Sequence, residues 1–416
     1  MFKLKLPKYL FGILGFICLI IFSGASFENK YSDKSISINP IVNNRLSIGA
    51  KHLIDNAFEG LDSTKLIDYH IHIVGTGDLG SGTFVKKEML TYSHPYKHIK
   101  FDIYLNAAGV KNSKKADEEY LITLISRIRN SHYQGKYCLL AFDKNYYVDG
   151  TPNLKKTEFY VPNEYVFQLA QKYPDIFIPV ISVHPYRKDA IVELEKWARK
   201  GVRMIKWLPN AMGIDPSSPK CDNFYRKMKE NNMLLLTHAG EEKAVDAEED
   251  QKFGNPLLLK VPLDAGVKVI IAHCASLGDA EIKNDDKKIT KRKNFDLFME
   301  LMHDKKYENL LFADISAMTQ YNRMGIPLKT MLDNTELHKR LVNGSDYPLP
   351  AINFLIRTSS LEKAGYITSD ERRYLNEIYT YNPLLFDFVL KRTIKSPITK
   401  LKFSNSVFMS NQLLGF

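Results

Sequence analysis

The stretch LIDYHIHIVG, residues 66–75, places two histidines two positions apart at the end of an apolar run. Each residue of a β-strand advances the chain by about 3.3 Å, so residues i and i+2 share a face about 6.6 Å apart. The imidazoles of His70 and His72 are therefore expected side by side. Two such imidazoles make up half of a transition-metal site, and the remaining ligands must come from elsewhere in the chain.

Four further residues with metal-binding or acid–base chemistry follow apolar runs in the same way. They are Lys206 in VRMIKWLP, His238 in MLLLTHAG, His273 in VKVIIAHCAS and Asp346 in RLVNGSDYP. Each has an ordinary structural explanation when taken alone, as a lysine whose stem covers apolar surface, a hydrogen-bonded core histidine or a turn aspartate. A shared site is indicated because all six residues stand near the C-terminal end of a run.

The elements that must position these residues alternate along the chain. Short apolar runs are separated by stretches of helical periodicity, such as 117–130, 189–200 and 294–305. The runs occupy residues 66–73, 136–143, 176–185, 202–209, 233–240, 267–276, 309–318 and 340–348. Eight such units predict an α/β fold with a parallel sheet covered on both faces, a (β/α)8 TIM barrel. The C-terminal ends of barrel strands meet at one mouth, where the six residues should converge.

The runner-up architecture is an open doubly wound sheet, but no glycine-rich fingerprint follows the first run. Residues 76–134 are too long for one crossover and are predicted as an insertion after strand 1. The predicted domain organisation continues with a lead-in segment at 26–64 and the barrel at 65–390. A tail at 391–416 ends the chain, within a helical C-terminal extension that begins at residue 351.

The N-terminus has the pattern of an export signal. Three lysines in the first eight residues precede the uncharged run Tyr9–Phe22, which is followed by SGAS. This predicts a signal peptide at 1–25 that is cut after Ala25. The uncharged stretch extends to Phe27, so an uncleaved membrane anchor stays open. Either reading predicts an exported protein, periplasmic or anchored to the membrane with its catalytic domain outside the cytoplasm.

Composition and charge exclude several other classes of protein. The chain has 44% hydrophobic and 25% charged residues, typical of a globular protein. The net charge of +11 is spread along the chain, and runs such as 283–293 mix both signs. That run is predicted as a solvated loop, and no nucleic-acid partner is expected. Cys138, Cys221 and Cys274 are scattered and form no CxxC motif. A large core can form without disulfides, so few cysteines do not contradict export.

Five of the quoted regions resemble a known family. The stretches YHIHIVG, RMIKWLPNAMGIDP, LLLTHAGEE, VIIAHCASLG and LVNGSDYPLP resemble the amidohydrolase superfamily of metal-dependent hydrolases, most closely its amidohydrolase-related branch. The resemblance covers about residues 66–390. It implies a barrel enzyme that acts on a small-molecule substrate. It leaves the substrate itself and the oligomeric state open.

The resemblance also implies a ligand set. His70, His72 and Asp346 would hold one metal, with Zn²⁺ expected and other divalent metals allowed. His238 and His273 would hold a second metal. In one-metal members, His238 would instead be a ligand and His273 a catalytic residue.

Lys206 does not fit a metal site in its ordinary form, because an ammonium has no lone pair and repels a cation. As in binuclear members of the superfamily, it would bridge two metals only after reaction with CO₂ to give a carbamate. Without that modification, Lys206 would bind an anionic substrate. One or two metals per chain therefore remain open.

The implied reaction is hydrolysis of a small-molecule C–N, C–O or P–O bond by a metal-activated water. Asp346 would accept the proton of the water and later deliver it to the leaving group, and His273 would help to polarise the substrate oxygen. The alternative is a one-metal, non-oxidative decarboxylase of an aromatic or unsaturated carboxylic acid. A catalytically inactive barrel is the third reading, against which the complete residue set argues.

Residues near these positions receive weaker predictions. Trp207 and Asn210 follow strand 4, Tyr186 follows strand 3, and all three are predicted to shape the substrate pocket. By strand alternation, Asp68 should share a face with the two histidines of strand 1 and orient one of them. His184 is predicted to be a hydrogen-bonded structural histidine.

Overall fold

The computed structural model describes residues 46–131, 135–283 and 288–415. The predicted signal or anchor at 1–25 and most of the predicted lead-in segment lie outside the described residues. Among the described residues, no helix is both long enough and apolar enough to cross a membrane.

Eight parallel strands lie in the eight predicted apolar runs. They are β1 Ile67–His72, β2 Lys136–Leu140, β3 Phe177–Val180, β4 Met204–Trp207, β5 Leu234–Thr237, β6 Val269–Ile271, β7 Leu311–Asp314 and β8 Leu341–Val342. Strands β1 to β3 form one sheet and β4 to β8 form another, each in sequence order. All neighbouring strands in these two sheets are parallel.

Two bridges join these sheets into a closed barrel. Ile181, directly after β3, pairs in parallel with Ile205 of β4. Ile71 of β1 pairs in parallel with Tyr347 beyond β8, and the N–H of His72 donates to the Tyr347 carbonyl at 2.9 Å. Each strand therefore has a neighbour on both sides, and the predicted (β/α)8 barrel is confirmed.

The helices surround this barrel. They are α1 Ile48–Phe58, α2 Pro95–Ala108, α3 Ala116–Arg129, α4 Asn163–Lys172, α5 Ala190–Arg199, α6 Pro209–Met212, α7 Asp222–Glu230, α8 Lys260–Asp264, α9 Asn294–His303, α10 Ile326–Asp333, α11 Thr358–Lys363, α12 Ser369–Tyr381 and α13 Pro383–Thr393. Helices α2 and α3 belong to the predicted insertion after β1, and α11 to α13 belong to the predicted helical extension. The boundary predicted after residue 390 falls inside α13, and the domain division stays a prediction.

Two short antiparallel pairs add to the barrel. Phe84–Val85 of the insertion pairs with Phe159–Tyr160 beyond β2. Asp279–Lys283 pairs with Ile289–Lys293 after β6. Lys283 and Ile289–Lys293 therefore lie in paired strands, although the run 283–293 was predicted as a loop. The side chains of Ile289–Lys293 alternate in exposure, which is the period of a strand.

The barrel interior is filled by a cluster of apolar side chains that includes a residue near the C-terminus of the chain. Its fully buried members include Tyr69, Cys138, Leu140, Met204, Leu236, Ile270, Phe312 and Val342. Leu414 belongs to the same interior cluster and is 5% exposed. The C-terminal segment is tied to β1, since the Asn411 N–H donates to the Tyr69 hydroxyl at 3.1 Å. The tail therefore completes the core of the barrel.

Replacing Leu414 with alanine is expected to lower the free energy of unfolding by about 2–4 kcal/mol, because it leaves a cavity in the interior cluster. The neighbouring Leu413 is 43% exposed, so Leu413→Ala is the matched control and should change stability by less than about 0.5 kcal/mol. Urea unfolding of both variants measures the difference. Equal effects would contradict a core role for Leu414.

Candidate metal centre and active site

A strand irregularity presents both histidines of β1 to the mouth of the barrel. The pairing of β1 with β2 shifts register between Asp68 and Ile71, and Tyr69 points into the interior cluster. The prediction that Asp68 shares a face with the histidines was wrong, because this irregularity interrupts the alternation. Asp68 instead accepts the backbone N–H of His70 and that of Ser345, both at 2.9 Å.

Three predicted ligands, His70, His72 and Asp346, place their donor atoms around one point, and Lys206 lies next to His70. His72 Nε2 lies 3.2 Å from His70 Nε2 and 3.2 Å from Asp346 Oδ1. His70 Nε2 lies 3.5 Å from Asp346 Oδ1 and 3.3 Å from Lys206 Nζ. A tetrahedral zinc ion with bonds of about 2.0–2.1 Å separates its ligand atoms by about 3.3 Å. The spacing of these side chains therefore fits a metal ion.

The residue that orients His70 is Asp314, at the end of β7. Asp314 Oδ2 lies 2.9 Å from His70 Nδ1, so the carboxylate accepts the Nδ1 hydrogen and leaves a lone pair on Nε2. The Ser316 hydroxyl donates to Asp314 Oδ1. That hydroxyl therefore accepts from His273 Nδ1 at 2.7 Å, which leaves His273 Nε2 unprotonated as well. One carboxylate thus sets the ligand form of two imidazoles.

Two groups of described residues bring metal-ligand atoms together, namely His70 with His72 and Asp346, and His70 with His273 and Asp314. In the second group, Asp314 already accepts the backbone N–H groups of His273 and Ser316, each at 3.0 Å, besides the His70 ring. These donors, together with the Ser316 hydroxyl, hold the carboxylate in place. We therefore assign Asp314 to orientation and the first group to ligation.

Sequence reasoning missed Asp314 although the signal was present. The residue stands at the C-terminal end of the run NLLFADISAM, in the same position as the six residues that were found. The pKa of Asp314 is lowered from its usual value. Burial alone would raise it, but the His70 imidazole and its hydrogen bond outweigh burial.

His238 offers a free ligand atom. It is 3% exposed, and its Nε2 has no hydrogen-bond partner among the described residues. Its Nδ1 lies 3.5 Å from Glu242 Oε2. Burial lowers the pKa of His238 to about 4, so the ring is neutral at pH 7, as ligation requires. Because a buried polar atom without a partner is costly, the free Nε2 fits a metal ligand. Glu242 is itself buried.

His273 and Asp346 reach the centre from left-handed turns. Their φ angles are 56° and 57°, and the two residues lie in the segments that follow β6 and β8. His273 Nε2 lies 3.8 Å from Asp346 Oδ2. Gly344, two residues before Asp346, lies against the side chain of His70. An added Cβ there would stand 2.7 Å from the His70 Cβ, so the glycine permits this approach.

The charges of Asp346 and Lys206 are set by their surroundings. Burial alone would raise the pKa of Asp346, but the imidazoles of His70 and His273 hold it well below its usual range. Burial lowers the pKa of Lys206, with partial opposition from Asp314 and Asp346. Burial thus favours the neutral amine of Lys206, which is the form that reacts with CO₂.

Other predicted residues lie elsewhere. Trp207 was predicted at the substrate pocket, but its indole packs against Phe224 and Tyr225 and its N–H donates to the Val183 carbonyl at 2.9 Å. That prediction was wrong because alternation along β4 sends Lys206 inward and Trp207 outward. His184 is a buried structural histidine, as expected, with Nε2 2.9 Å from the Met212 carbonyl.

The other two predicted pocket residues make loop contacts. Asn210 Nδ2 donates to the Gly240 carbonyl at 3.1 Å and to Gln251, which ties the loop after β4 to the loop after β5. The Tyr186 hydroxyl accepts the Asp215 N–H at 3.2 Å. Among the described contacts, neither residue forms a hydrogen bond with any of the six residues of the centre. Their role in substrate binding stays a prediction.

A comparison with known proteins identifies a family that the sequence matches. Residues 67–351 match the family described as amidohydrolase. No curated protein matches the chain. Among solved structures, an uncharacterised TIM-barrel protein from Bordetella bronchiseptica is 18% identical, with 75% of this chain and 99% of that chain covered and a TM-score of 0.47.

Two further structures are similar. A putative 2-pyrone-4,6-dicarboxylic acid hydrolase from Pseudomonas putida is 14% identical over 84% of this chain and 97% of that chain, with a TM-score of 0.44. A 5-carboxyvanillate decarboxylase from Sphingomonas paucimobilis is 10% identical over 84% of this chain and 97% of that chain, with a TM-score of 0.42.

Proposed function

The chain belongs to the amidohydrolase family, and from this premise we propose that it is a metal-dependent hydrolase of a small-molecule C–N, C–O or P–O bond. The observation that carries the proposal is the convergence of donor atoms from His70, His72 and Asp346 at the mouth of the barrel, 3.2–3.5 Å apart, with Lys206 Nζ 3.3 Å from His70 Nε2. His238 adds a buried nitrogen without a partner.

Zinc suits this set of nitrogen and carboxylate donors, and when bound it would activate water at neutral pH and polarise the substrate oxygen. Asp346 supplies the proton acceptor, because its carboxylate stands at the centre, with Oδ1 3.2 Å from His72 Nε2 and 3.5 Å from His70 Nε2. It accepts the proton of the attacking water and returns it to the leaving group. His273 presents an unprotonated Nε2 towards Asp346, which supports ligation of a second metal over donation to the substrate.

The alternative is a one-metal decarboxylase of an aromatic or unsaturated acid. The observation that supports it is the place of the Lys206 amine, whose Nζ lies 3.3 Å from His70 Nε2, where as an unmodified side chain it can face a substrate. In this form Lys206 supplies N–H donors to a substrate carboxylate. In the hydrolase, a carboxylated Lys206 would instead help to hold the metal.

Elemental analysis of metal per chain tests both proposals, on protein produced from residue 27 onward with bicarbonate present and chelators absent. About two metals per chain, falling to about one or fewer in Lys206→Ala, supports the hydrolase with a carbamate. About one metal, unchanged in Lys206→Ala, supports the decarboxylase. Thermal unfolding of Lys206→Ala beside the wild type serves as the control for folding. A protein that binds no divalent metal contradicts both.

We also propose that the protein is exported, from the lysines and the uncharged run Tyr9–Phe22 at its start. Fractionation of cells tests this, and mass spectrometry of the mature chain distinguishes a cut after Ala25 from an intact anchor.

A further inference from the structure

Arg323 is a buried guanidinium beside the candidate centre that the proposed chemistry does not use. It lies in the segment after β7 and is 8% exposed. Its Nη1 donates to the Ser276 hydroxyl at 3.0 Å, and Ser276 stands three residues after His273. This is the only hydrogen bond of the Arg323 side chain to the described residues.

The free edge of this guanidinium is the edge that binds oxyanions. Arg323 Nε is buried and has no partner among the described residues. With Nη1 committed to Ser276, Nε and Nη2 remain as two parallel N–H donors. A carboxylate or phosphate accepts such a pair in a bidentate arrangement. The unfilled contacts of Arg323 therefore match an anionic group with two oxygens.

The charge of Arg323 is also without a close counterpart. It forms no ion pair with the described carboxylates, although Glu242, Asp346 and Asp314 act on it from further away. A buried cation without a paired anion is strongly disfavoured, which favours uptake of an anion from outside the protein. Arg323 acts electrostatically on both His238 and His273, so an anion held there stands next to the centre.

We propose that Arg323 is a substrate-binding residue that receives an oxyanion of the substrate, a carboxylate or a phosphate, through Nε and Nη2. The proposal rests on the proposed function and names its substrate class as acids. In the hydrolase, this acidic group is not the group that is cleaved. It fixes the orientation of the substrate while the scissile bond faces Asp346.

Calorimetric titration of the metal-loaded protein tests this role with three probes, namely benzoate, phenylphosphonate and the neutral benzyl alcohol. We expect at least one anion to bind the wild type saturably, at least tenfold more weakly in Arg323→Gln, and also weakly in Arg323→Lys, which keeps the charge but loses the fork. Arg340→Gln is the matched control, since Arg340 is also buried with a free Nε but precedes β8 at the opposite end of the barrel. It should bind the anions as the wild type does.

Tighter binding of benzoate assigns the group as a carboxylate, and tighter binding of phenylphosphonate assigns it as a phosphate. Equal affinities in wild type and Arg323→Gln overturn the proposal, as does a wild type that binds neither anion. If Arg323→Gln fails to unfold cooperatively, the affinity of Arg323→Lys for the anions is compared with that of the wild type instead, and equal affinities overturn the proposal. Inactivity towards hydrolase substrates would count against the proposed reaction and leaves this binding result standing.

Discussion

Asp346→Asn is expected to lower turnover by at least about 10³-fold and to leave the barrel folded. Asparagine keeps the size of the side chain but loses the negative charge that faces His70, His72 and His273. The amide of asparagine can neither neutralise the charge of a bound metal cation nor accept a proton. Metal affinity and the catalytic step should therefore both weaken, and the first effect appears as a lower metal content per chain.

The folded-state pKa of Asp346 lies below the unfolded value of about 3.9, so the carboxylate stays ionised throughout the neutral and mildly acidic range. The stability that this shift contributes is present above about pH 3.9 and is lost as the pH falls through the folded pKa. The activity of the wild type between pH 5 and 8 should therefore not be limited by protonation of Asp346.

Steady-state turnover, metal content and thermal unfolding of Asp346→Asn give the three readouts. Asp333→Asn is the matched control, because Asp333 pairs with Lys329 on α10 at 2.7 Å, away from the mouth. The control should keep full turnover and its metal. An Asp346→Asn protein with wild-type turnover would remove Asp346 from both proposed roles.

The positions of the strands were predictable because barrel strands are buried on both faces and read as continuous apolar runs. The site was predictable for a related reason. Residues at the C-terminal ends of such runs converge in a closed barrel, so His70, Lys206, His238, His273 and Asp346 could be brought together from sequence position alone.

The failures have identifiable physical causes. Asp68 was misplaced because a register shift inside β1 is set by pairing with β2, which the sequence of β1 does not reveal. Trp207 was wrongly predicted at the substrate pocket because alternation along β4 was not applied. Since Lys206 points inward, the next residue points outward. Leu414 gave no signal, since its role as an interior core residue depends on a chain end that returns to the barrel. The place of Arg323 near the centre likewise could not be predicted, because it lies in the segment after β7, whose position only the fold determines.

Asp314→Asn is expected to weaken metal affinity by about 10- to 100-fold, the range for residues that orient metal ligands. The amide can place an N–H donor opposite His70 Nδ1, where the carboxylate had accepted a hydrogen at 2.9 Å. His70 then carries its hydrogen on Nε2, the atom that faces His72 and Asp346. The imidazole is present but lacks the lone pair that ligation requires.

Chelator competition measures the metal affinity, and nitrogen chemical shifts of the His70 ring report its tautomer. Ser316→Ala is the control, because it removes the hydroxyl that links Asp314 to His273 Nδ1 and leaves the Asp314 carboxylate 2.9 Å from His70 Nδ1, although a longer contact of the hydroxyl with that nitrogen, at 3.4 Å, is lost. It should weaken affinity less and leave the His70 tautomer unchanged. A loss of thermal stability in Asp314→Asn, with tautomer and affinity both preserved, would make Asp314 a purely structural residue. A shifted tautomer with weakened affinity would show that a carboxylate on β7 determines whether a histidine on β1 can bind metal.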